Sequence, residues 1–500
     1  MIKAIVFDMD GTLIDSDSLV LEIYKRLTAY EKSQTPLESM DIESVFALSY
    51  PEVLLKLYGK VDPTHLDFIH ETHKNLKHKL LRKYPRVDEV MIALKKRGYF
   101  IGVFTSELRS IAIDELTILG LYDLIDHLVA YDDVKNPKPN PDGLYDMMNF
   151  FKCKAHEIMM VGDQLTDAFA AKNSDVEVIL MDHYNKKPMH IKKLFDLVIN
   201  DPMELLDKID NLNKLYLEMP LNRDLKMIQF TDLHLMNDDK DLKTFQLIHD
   251  FVLDEKPDFI VFTGDQTMSK DAPFLYQKLG QFMDTLKTPF TFVFGNHDLD
   301  GGNTYETLIE AIKDAKYLKF DQGPKHLGYS NFSIKLMDKN EVIGKLIFMD
   351  SHIEDTYVIK DVKTWGYGSI TKDQVDWYRL KTNLKKPHLI FFHIPLRDVL
   401  EVDKNALNYK GVYEENPCVQ GMDFGFFEAV IKHGLAKGIF VGHDHYNDFE
   451  FTKNGVLLAY GRVSGHYEYG AKGFKKGARI IYLNKEGQMK TEVKLWSEDI

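Results

Sequence analysis

KAIVFDMDGTLID, residues 3–15, decides how the first half of the chain folds. Ala4 to Phe7 form an unbroken apolar run that ends in polar residues, the pattern of a short strand covered on both faces. Asp8 and Asp10 stand at its end, and Gly11 permits the sharp exit that a side chain would resist. Two carboxylates this close do not ionise together unless a cation neutralises them or one keeps a proton. That pairing suits a nucleophile beside a general acid or base.

Outward from this stretch, similar runs recur: FIGVF (100–104), EIMMV (157–161), KMIQF (226–230), DFIVF (258–262) and TFVF (291–294). Each ends at a polar residue and most precede a helical pattern, which predicts α/β layers with mainly parallel central strands. The polar residues follow the strand ends, where open α/β sheets hold their ligands. Residues 15–90 carry helical periodicity alone, from LVLEIYKRL to THLDFIHETHKNLKHKLL, and are expected to form an all-helical lid. KIDNLNKLYLEMPLNRD (208–224) loses the rhythm and contains Pro220. The expected organisation is therefore a first domain at 1–210, a linker at 211–224 and a second domain at 225–500.

Five hundred residues exceed one ordinary core. With 63 Lys and Arg against 77 Asp and Glu, the net charge of −14 and the lack of a basic stripe exclude a general binder of nucleic acid or anionic membrane. Cys153 and Cys418 are too few and too far apart for a disulfide framework or a thiolate zinc site, so a reducing compartment is expected. The N-terminal apolar run is too short for a signal peptide, and nothing approaches the ~18 apolar residues of a membrane span. The expectation is a soluble, cytoplasmic protein. No GxxxxGK[ST] or GxGxxG element and no internal repeat is present.

The acidic pair has companions downstream: Thr105 in GVFTS, Lys138 in NPKPNP, and Asp163 with Asp167 in VGDQLTD. In this order the motifs resemble the haloacid dehalogenase superfamily, in its helical-cap phosphatase branch, over about residues 1–210. The resemblance implies a Rossmann-like domain in which Asp8 is the nucleophile that becomes an aspartyl-phosphate. It implies that Asp10 protonates the leaving group and later activates water, and that Thr105 and Lys138 hold the phosphoryl oxygens. Asp163, with Asp167 near it, would complete a Mg²⁺ site with Asp8 and the Asp10 carbonyl. Magnesium suits such an oxygen-only set.

The second half offers five signals: FTDLHL (Asp232, His234), FTGDQT (Asp265), FGNHD (Asn296, His297, Asp298), FFHIPL (His393) and VGHDHYND (His443, His445). Mixed imidazole and carboxylate donors are what a pair of divalent first-row ions needs. Spacing by two places both side chains of DxH or HxH on one side of an extended segment. These residues resemble the calcineurin-like metallophosphoesterases over nearly all of 225–500, which implies a four-layer α/β sandwich. The family pattern implies one ion on Asp232, His234, Asp265 and His445 and a second on Asp265, Asn296, His393 and His443, with hydroxide between the ions attacking phosphorus. His297, oriented by Asp298, would serve the leaving oxygen. WGYGSITKDQVDWY and the C-terminal YGRVSGHYEYG resemble the fungal and plant branch grouped with purple acid phosphatases. Those enzymes carry a tyrosinate ligand soon after the GD aspartate, whereas GDQTMSK supplies none, so two divalent ions such as Mn²⁺, Fe²⁺ or Zn²⁺ are expected in place of an iron(III) centre. His352, Arg462 and His466 are either pocket-lining residues or solvated loop positions. His388 reads as a core residue.

The leading expectation is a bifunctional hydrolase acting on small phosphorylated metabolites or nucleotides: a Mg²⁺-dependent phosphomonoesterase joined to a binuclear phosphoesterase for mono- or diesters. Two alternatives stand beside it. In one, a single half is catalytic and the other binds phosphate as a regulatory module; in the other, the second half is a nuclease-type phosphodiesterase.

Overall fold

The computed structural model describes residues 1–30, 53–56, 59–359, 362–382, 386–467 and 473–497. The chain divides into two compact units, Met1–Asn213 and Lys214–Ile500.

The first unit contains β1 (Ala4–Phe7), β2 (Ile14–Asp15), β3 (Arg82–Lys83), β4 (Phe100–Phe104), β5 (His127–Val129), β6 (Ile158–Gly162), β7 (Glu177–Met181) and β8 (Leu197–Ile199). Among the described residues, six of these form one parallel sheet in the order β5-β4-β1-β6-β7-β8. β1, the strand quoted at the outset, lies between β4 and β6 with all four residues buried. Its unbroken apolar run is explained by helices on both faces. Antiparallel β2 and β3 bracket the helical insertion, whose described helices include Asp17–Tyr30 and Pro63–Leu80. Residues 31–52 and 57–58 of the expected lid lie outside the described residues. Helix Val87–Lys96 packs Val90, Met91 and Leu94 into the cluster that holds Ile5 and Phe7 of β1 together with Ile23 and Ile69 of the two insertion helices. Helix Pro63–Leu80 is docked on helix Arg109–Ile118 by His73 Nε2, 2.5 Å from Glu115 Oε1, and by the pair Lys77–Asp114.

The second unit contains β9 (Tyr216–Glu218), β10 (Leu225–Phe230), β11 (Phe259–Thr263), β12 (Phe290–Val293), β13 (Phe332–Asp338), β14 (Glu341–Phe348), β15 (Glu354–Ile359), β16 (Val362–Tyr367), β17 (His388–Phe391), β18 (Ala436–Val441), β19 (Glu450–Lys453), β20 (Val456–Tyr460), β21 (Gly477–Leu483) and β22 (Met489–Leu495). One sheet runs β12-β11-β10-β21-β22, the other β19-β20-β18-β17-β14-β13-β9, and both mix parallel with antiparallel pairs. β9 falls inside the expected linker and pairs in parallel with β13. Three residues between a helix and a proline were too short a pattern to read as a strand.

Two buried polar side chains link the two sheets. Gln229 and Arg479 are register partners on β10 and β21. Gln229 donates to Val441 O at 2.9 Å, and Arg479 donates to Tyr460 O and Asp448 O at 2.6 Å each. Outside, Phe251 and Tyr276 of helices Lys240–Glu255 and Ala272–Leu286 pack on Phe230 and Phe292. Tyr378 and Phe426 of helices Lys372–Lys381 and Phe426–His433 cover Ile390 and Ile439 of the other sheet. The result is a helix–sheet–sheet–helix stack.

Arg479 is fully buried, and its charge is met by Glu450. Truncating one partner of a buried pair leaves the other charge unsolvated. Arg479→Ala is expected to lower unfolding stability by about 3–5 kcal/mol, read by urea denaturation. His388 is the buried core residue its sequence context indicated: Tyr378 Oη lies 2.8 Å from its Nε2, and burial pulls its pKa down to about 4. The unfolded chain, with histidine near 6.5, then binds more protons than the native state as the pH drops. Stability held above pH 6.5 should fall by roughly 3 kcal/mol towards pH 4, and His388→Gln should flatten that slope.

Candidate active sites

In the first unit three motifs sit just past the carboxyl ends of parallel strands, Asp8 after β1, Thr105 after β4 and Asp163 after β6, and Lys138 comes from the loop before helix Asp142–Phe151. Gly11 turns the chain at φ 79°, and a Cβ there would come within 2.4 Å of Asp163 Oδ2, so glycine is required for the acid to close over the turn. Lys138 is buried, with Nζ 2.5 Å from Asp8 Oδ1 and 2.8 Å from Asp167 Oδ1. Burial alone would lower its pKa, but the carboxylates of Asp167 and Asp8 outweigh that and raise it. Asp8 is held well above the ordinary carboxylate range by burial and by Asp167, against the opposing pull of Lys138. Asp10 is pushed up to about 7, first by burial and then by the charge of Glu115. A group poised there both gives and takes a proton at neutral pH.

Asp8, Asp163 and Asp167 bring carboxylate oxygens to within 4.8 Å of one another. Both oxygens of Asp167 are engaged. Its Oδ2 accepts the N–H groups of Asp163 and Gln164 at 3.0 and 2.9 Å, and its Oδ1 receives Lys138. This carboxylate therefore positions the Asp163 turn and Lys138, while Asp163 Oδ2 is held by Gln164 Nε2 at 3.0 Å and its Oδ1 meets only Thr12 Oγ1, at 3.5 Å, among the described residues. Thr105 is buried, and its Oγ1 accepts the N–H of Glu107 at 3.0 Å. Lys187, unmarked in the sequence because it is one of two adjacent lysines in a polar loop, reaches Asp163 Oδ2 at 2.7 Å.

The second unit gathers its donors from both sheets. Asp232 and His234 follow β10, Asp265 follows β11 and Asn296 follows β12; His393 follows β17, and His443 and His445 follow β18. Asp232, His234 and His445 form one group and Asp265, His393 and His443 another, each with ligand atoms within 4.8 Å of one another. His234 Nε2 lies 3.1 Å from His445 Nε2 and 3.6 Å from Asp265 Oδ2, so Asp265 touches both groups. His393 Nε2 is 3.1 Å from Asp265 Oδ2 and 3.1 Å from Asn296 Oδ1, while its Nδ1 is fixed by Thr263 O at 2.8 Å. Such an outer hydrogen bond sets which nitrogen faces an ion.

The donor set fits cations. His443 Nε2 is buried and meets no hydrogen-bond partner among the described residues. Burial lowers His234 to about 4 and His443 to about 3, leaving both imidazoles neutral. Asp232, despite burial, is drawn down to about 2 by His445 and His393. Neutral imidazoles beside ionised carboxylates are the state divalent ions bind, and His393, which against burial is raised to about 9 by Asp265, would give up its proton to an ion. Asp232, His234, Asp265 and His443 also adopt left-handed φ values of 54°, 46°, 53° and 81°. Non-glycine residues hold that conformation when the surroundings impose it, and such strain clusters at functional sites.

One expectation is corrected. Asp298 does not orient His297: it is buried and accepts the N–H groups of Gly295 and Thr267 at 2.8 and 3.1 Å. The partner of His297 Nδ1 is Asp300 Oδ2, at 2.9 Å. Adjacent side chains diverge on this turn, and the third residue along comes back to meet the imidazole. His297 is half-buried, so its ring is open to an incoming group. Arg462 is bound to Asp448 at 2.7 Å and stacks on Phe474, a packing role, and His466 meets Thr244 Oγ1 at 3.2 Å.

A family model described as Haloacid dehalogenase-like hydrolase matches residues 5–181, and one described as Calcineurin-like phosphoesterase matches residues 225–447. The chain is a haloacid dehalogenase-like hydrolase fused to a calcineurin-like phosphoesterase. It is thus a phosphoric ester hydrolase. The dehalogenase-like unit is 32% identical over 176 residues to "Pyrophosphatase PpaX" of Bacillus velezensis, covering 35% of this chain and 80% of that one. A protein of the same name from Halalkalibacterium halodurans is 28% identical over 211 residues, covering 41% of this chain and 96% of that protein. The phosphoesterase unit is similar to "Probable inactive purple acid phosphatase 29" of Arabidopsis thaliana, 28% identical over 326 residues, covering 56% of this chain and 83% of the relative. Both families generally use divalent metals and act on small phosphorylated substrates. No helix among the described residues is long and apolar enough to cross a membrane.

Proposed function

We propose that both units are catalytic and hydrolyse phosphoesters independently. In the first, the Asp8 carboxylate attacks phosphorus, Lys138 steadies the charge on the phosphoryl group, and Asp10 protonates the departing oxygen and then takes a proton from the water that releases the enzyme. Mg²⁺ on Asp8, Asp163 and the Asp10 carbonyl would neutralise phosphoryl charge. In the second, Asp232, His234, Asp265 and His445 hold one divalent ion and Asp265, Asn296, His393 and His443 the other. The ions would supply an activated water and charge stabilisation. His297, held by Asp300, delivers a proton to the leaving oxygen.

The observation that carries this reading is the convergence of three ligand groups, all buried, at the strand ends of two separate units. The plant relative's name includes "inactive"; in this chain the donor set of the second unit is complete, which favours turnover over a silent phosphate-binding module. The name "Pyrophosphatase" of the first unit's relatives supports a small phosphorylated compound as its substrate.

Chelator-stripped protein tests the assignment. Mg²⁺ alone should restore a phosphomonoesterase activity, and Mn²⁺ should restore a second activity as about two ions per chain return to the phosphoesterase unit. A single activity restored identically by either metal would refute two independent centres.

A further inference from the structure

The WGYGSI motif lies outside the metal clusters, yet the structure ties it to them. β15 and β16 pair antiparallel apart from the two large sheets, with Glu354 opposite Tyr367 and Thr356 opposite Trp365. Tyr367, Trp365 and Lys363 alternate along β16 and so share one face of the pair. At its root Tyr367 is fixed by a bridge to Gln420, with the Gly421 N–H donating to Tyr367 O at 3.0 Å. The Tyr367 ring meets His443 edge-on, centroids 4.5 Å apart at 82°. Trp365 follows, 5.3 Å from Tyr367 between centroids. The strip therefore starts on an imidazole of the second centre and leads outward.

Trp365 is 58% exposed, although tryptophan is among the costliest side chains to leave in water. It is not loose: its Nε1–H donates to Glu354 Oε2 at 3.1 Å, which holds the indole and presents its face. Lys363 and Val358, opposite each other, continue the same face.

We propose that Tyr367 and Trp365 form a stacking platform that makes the second centre selective for phosphoesters of nucleosides, with the phosphate at the ion clusters and the base on the indole. This rests on the phosphoesterase reading of that centre. Stacking on an exposed aromatic ring is sequence-tolerant because every base has a π-face, so the platform selects for a planar ring and not for one base. Attachment to the metal-cluster histidine favours this over a protein-docking role, for which the strip would need no connection to His443.

Calorimetric titration of Mn²⁺-loaded protein with the non-hydrolysable phosphonate analogues of adenosine 5′-monophosphate and of ribose 5-phosphate isolates the base. The nucleotide analogue should bind at least about tenfold more tightly. Trp365→Ala should remove that preference while leaving affinity for the ribose 5-phosphate analogue unchanged, and Trp365→Phe should keep most of it. Dependence on Trp365 separates this site from the first unit. Equal binding of the two ligands by the parent protein, or a preference that survives Trp365→Ala, would overturn the proposal. Failure of the phosphoesterase reading shows up separately, as phosphate release that does not depend on Asp265, and the titration still decides the platform.

Discussion

In an Asp265→Asn protein, Mn²⁺-dependent phosphate release should fall by roughly 1,000-fold or more, on the scale of losing charge stabilisation aimed at a transition state. Asp265 is the acid that touches both ligand groups, through His234 at 3.6 Å and His393 at 3.1 Å. Its Oδ1 also accepts the His297 N–H at 2.8 Å. The amide keeps shape and volume but loses the negative charge that two cations share, so the bound-ion count should drop with the rate. Metal analysis beside a phosphate-release assay checks both. The Mg²⁺-dependent activity of the first unit should be unchanged; loss of both activities in a folded protein would end the independence of the centres.

Asp8→Asn should remove the Mg²⁺-dependent monoesterase by 10⁴-fold or more, the order seen when a covalent nucleophile is taken away. An amide oxygen is a poor nucleophile, and the Asp8–Lys138 ion pair is lost with it. Trapping with a fluoroaluminate or beryllofluoride phosphate mimic, which needs the carboxylate, gives a second readout. The Mn²⁺-dependent activity should persist. If the two centres work in sequence, the Asp8→Asn protein fed a phosphodiester should accumulate the corresponding monoester, and no accumulation would count against such coupling.

Much of this architecture is legible in the primary structure because the chemistry sits where hydrophobicity changes abruptly. Asp8, Asp163, Asp265 and His393 each end an apolar run, so the same boundary marks a strand terminus and a ligand. The spacing of Asp232 with His234 and of His443 with His445 marks all four as donors, but left-handed backbone at Asp232, His234 and His443, not an extended segment, aims them, and His443 and His445 enter different ligand groups. What escaped depends on turns and long-range contacts. The Asp300–His297 pair is decided by the path of one loop, and Lys187 reaches Asp163 across 24 residues. The saturated carboxylate of Asp167 and the left-handed backbone at Asp232, His234, Asp265 and His443 have no local pattern at all. The strand Tyr216–Glu218 is too short to announce itself, and the exposed Trp365 looks like core until its neighbours are known.

Asp232, His234, Asp265 and Asn296 extend from one sheet of the second unit, whereas His393, His443 and His445 extend from the other. Each cation would therefore rivet the two layers together, and its affinity would add directly to the cohesion of the sandwich. A cell short of manganese, iron or zinc would then hold a looser, more readily degraded protein as well as an idle one, so that supply of the ion governs abundance and turnover at once.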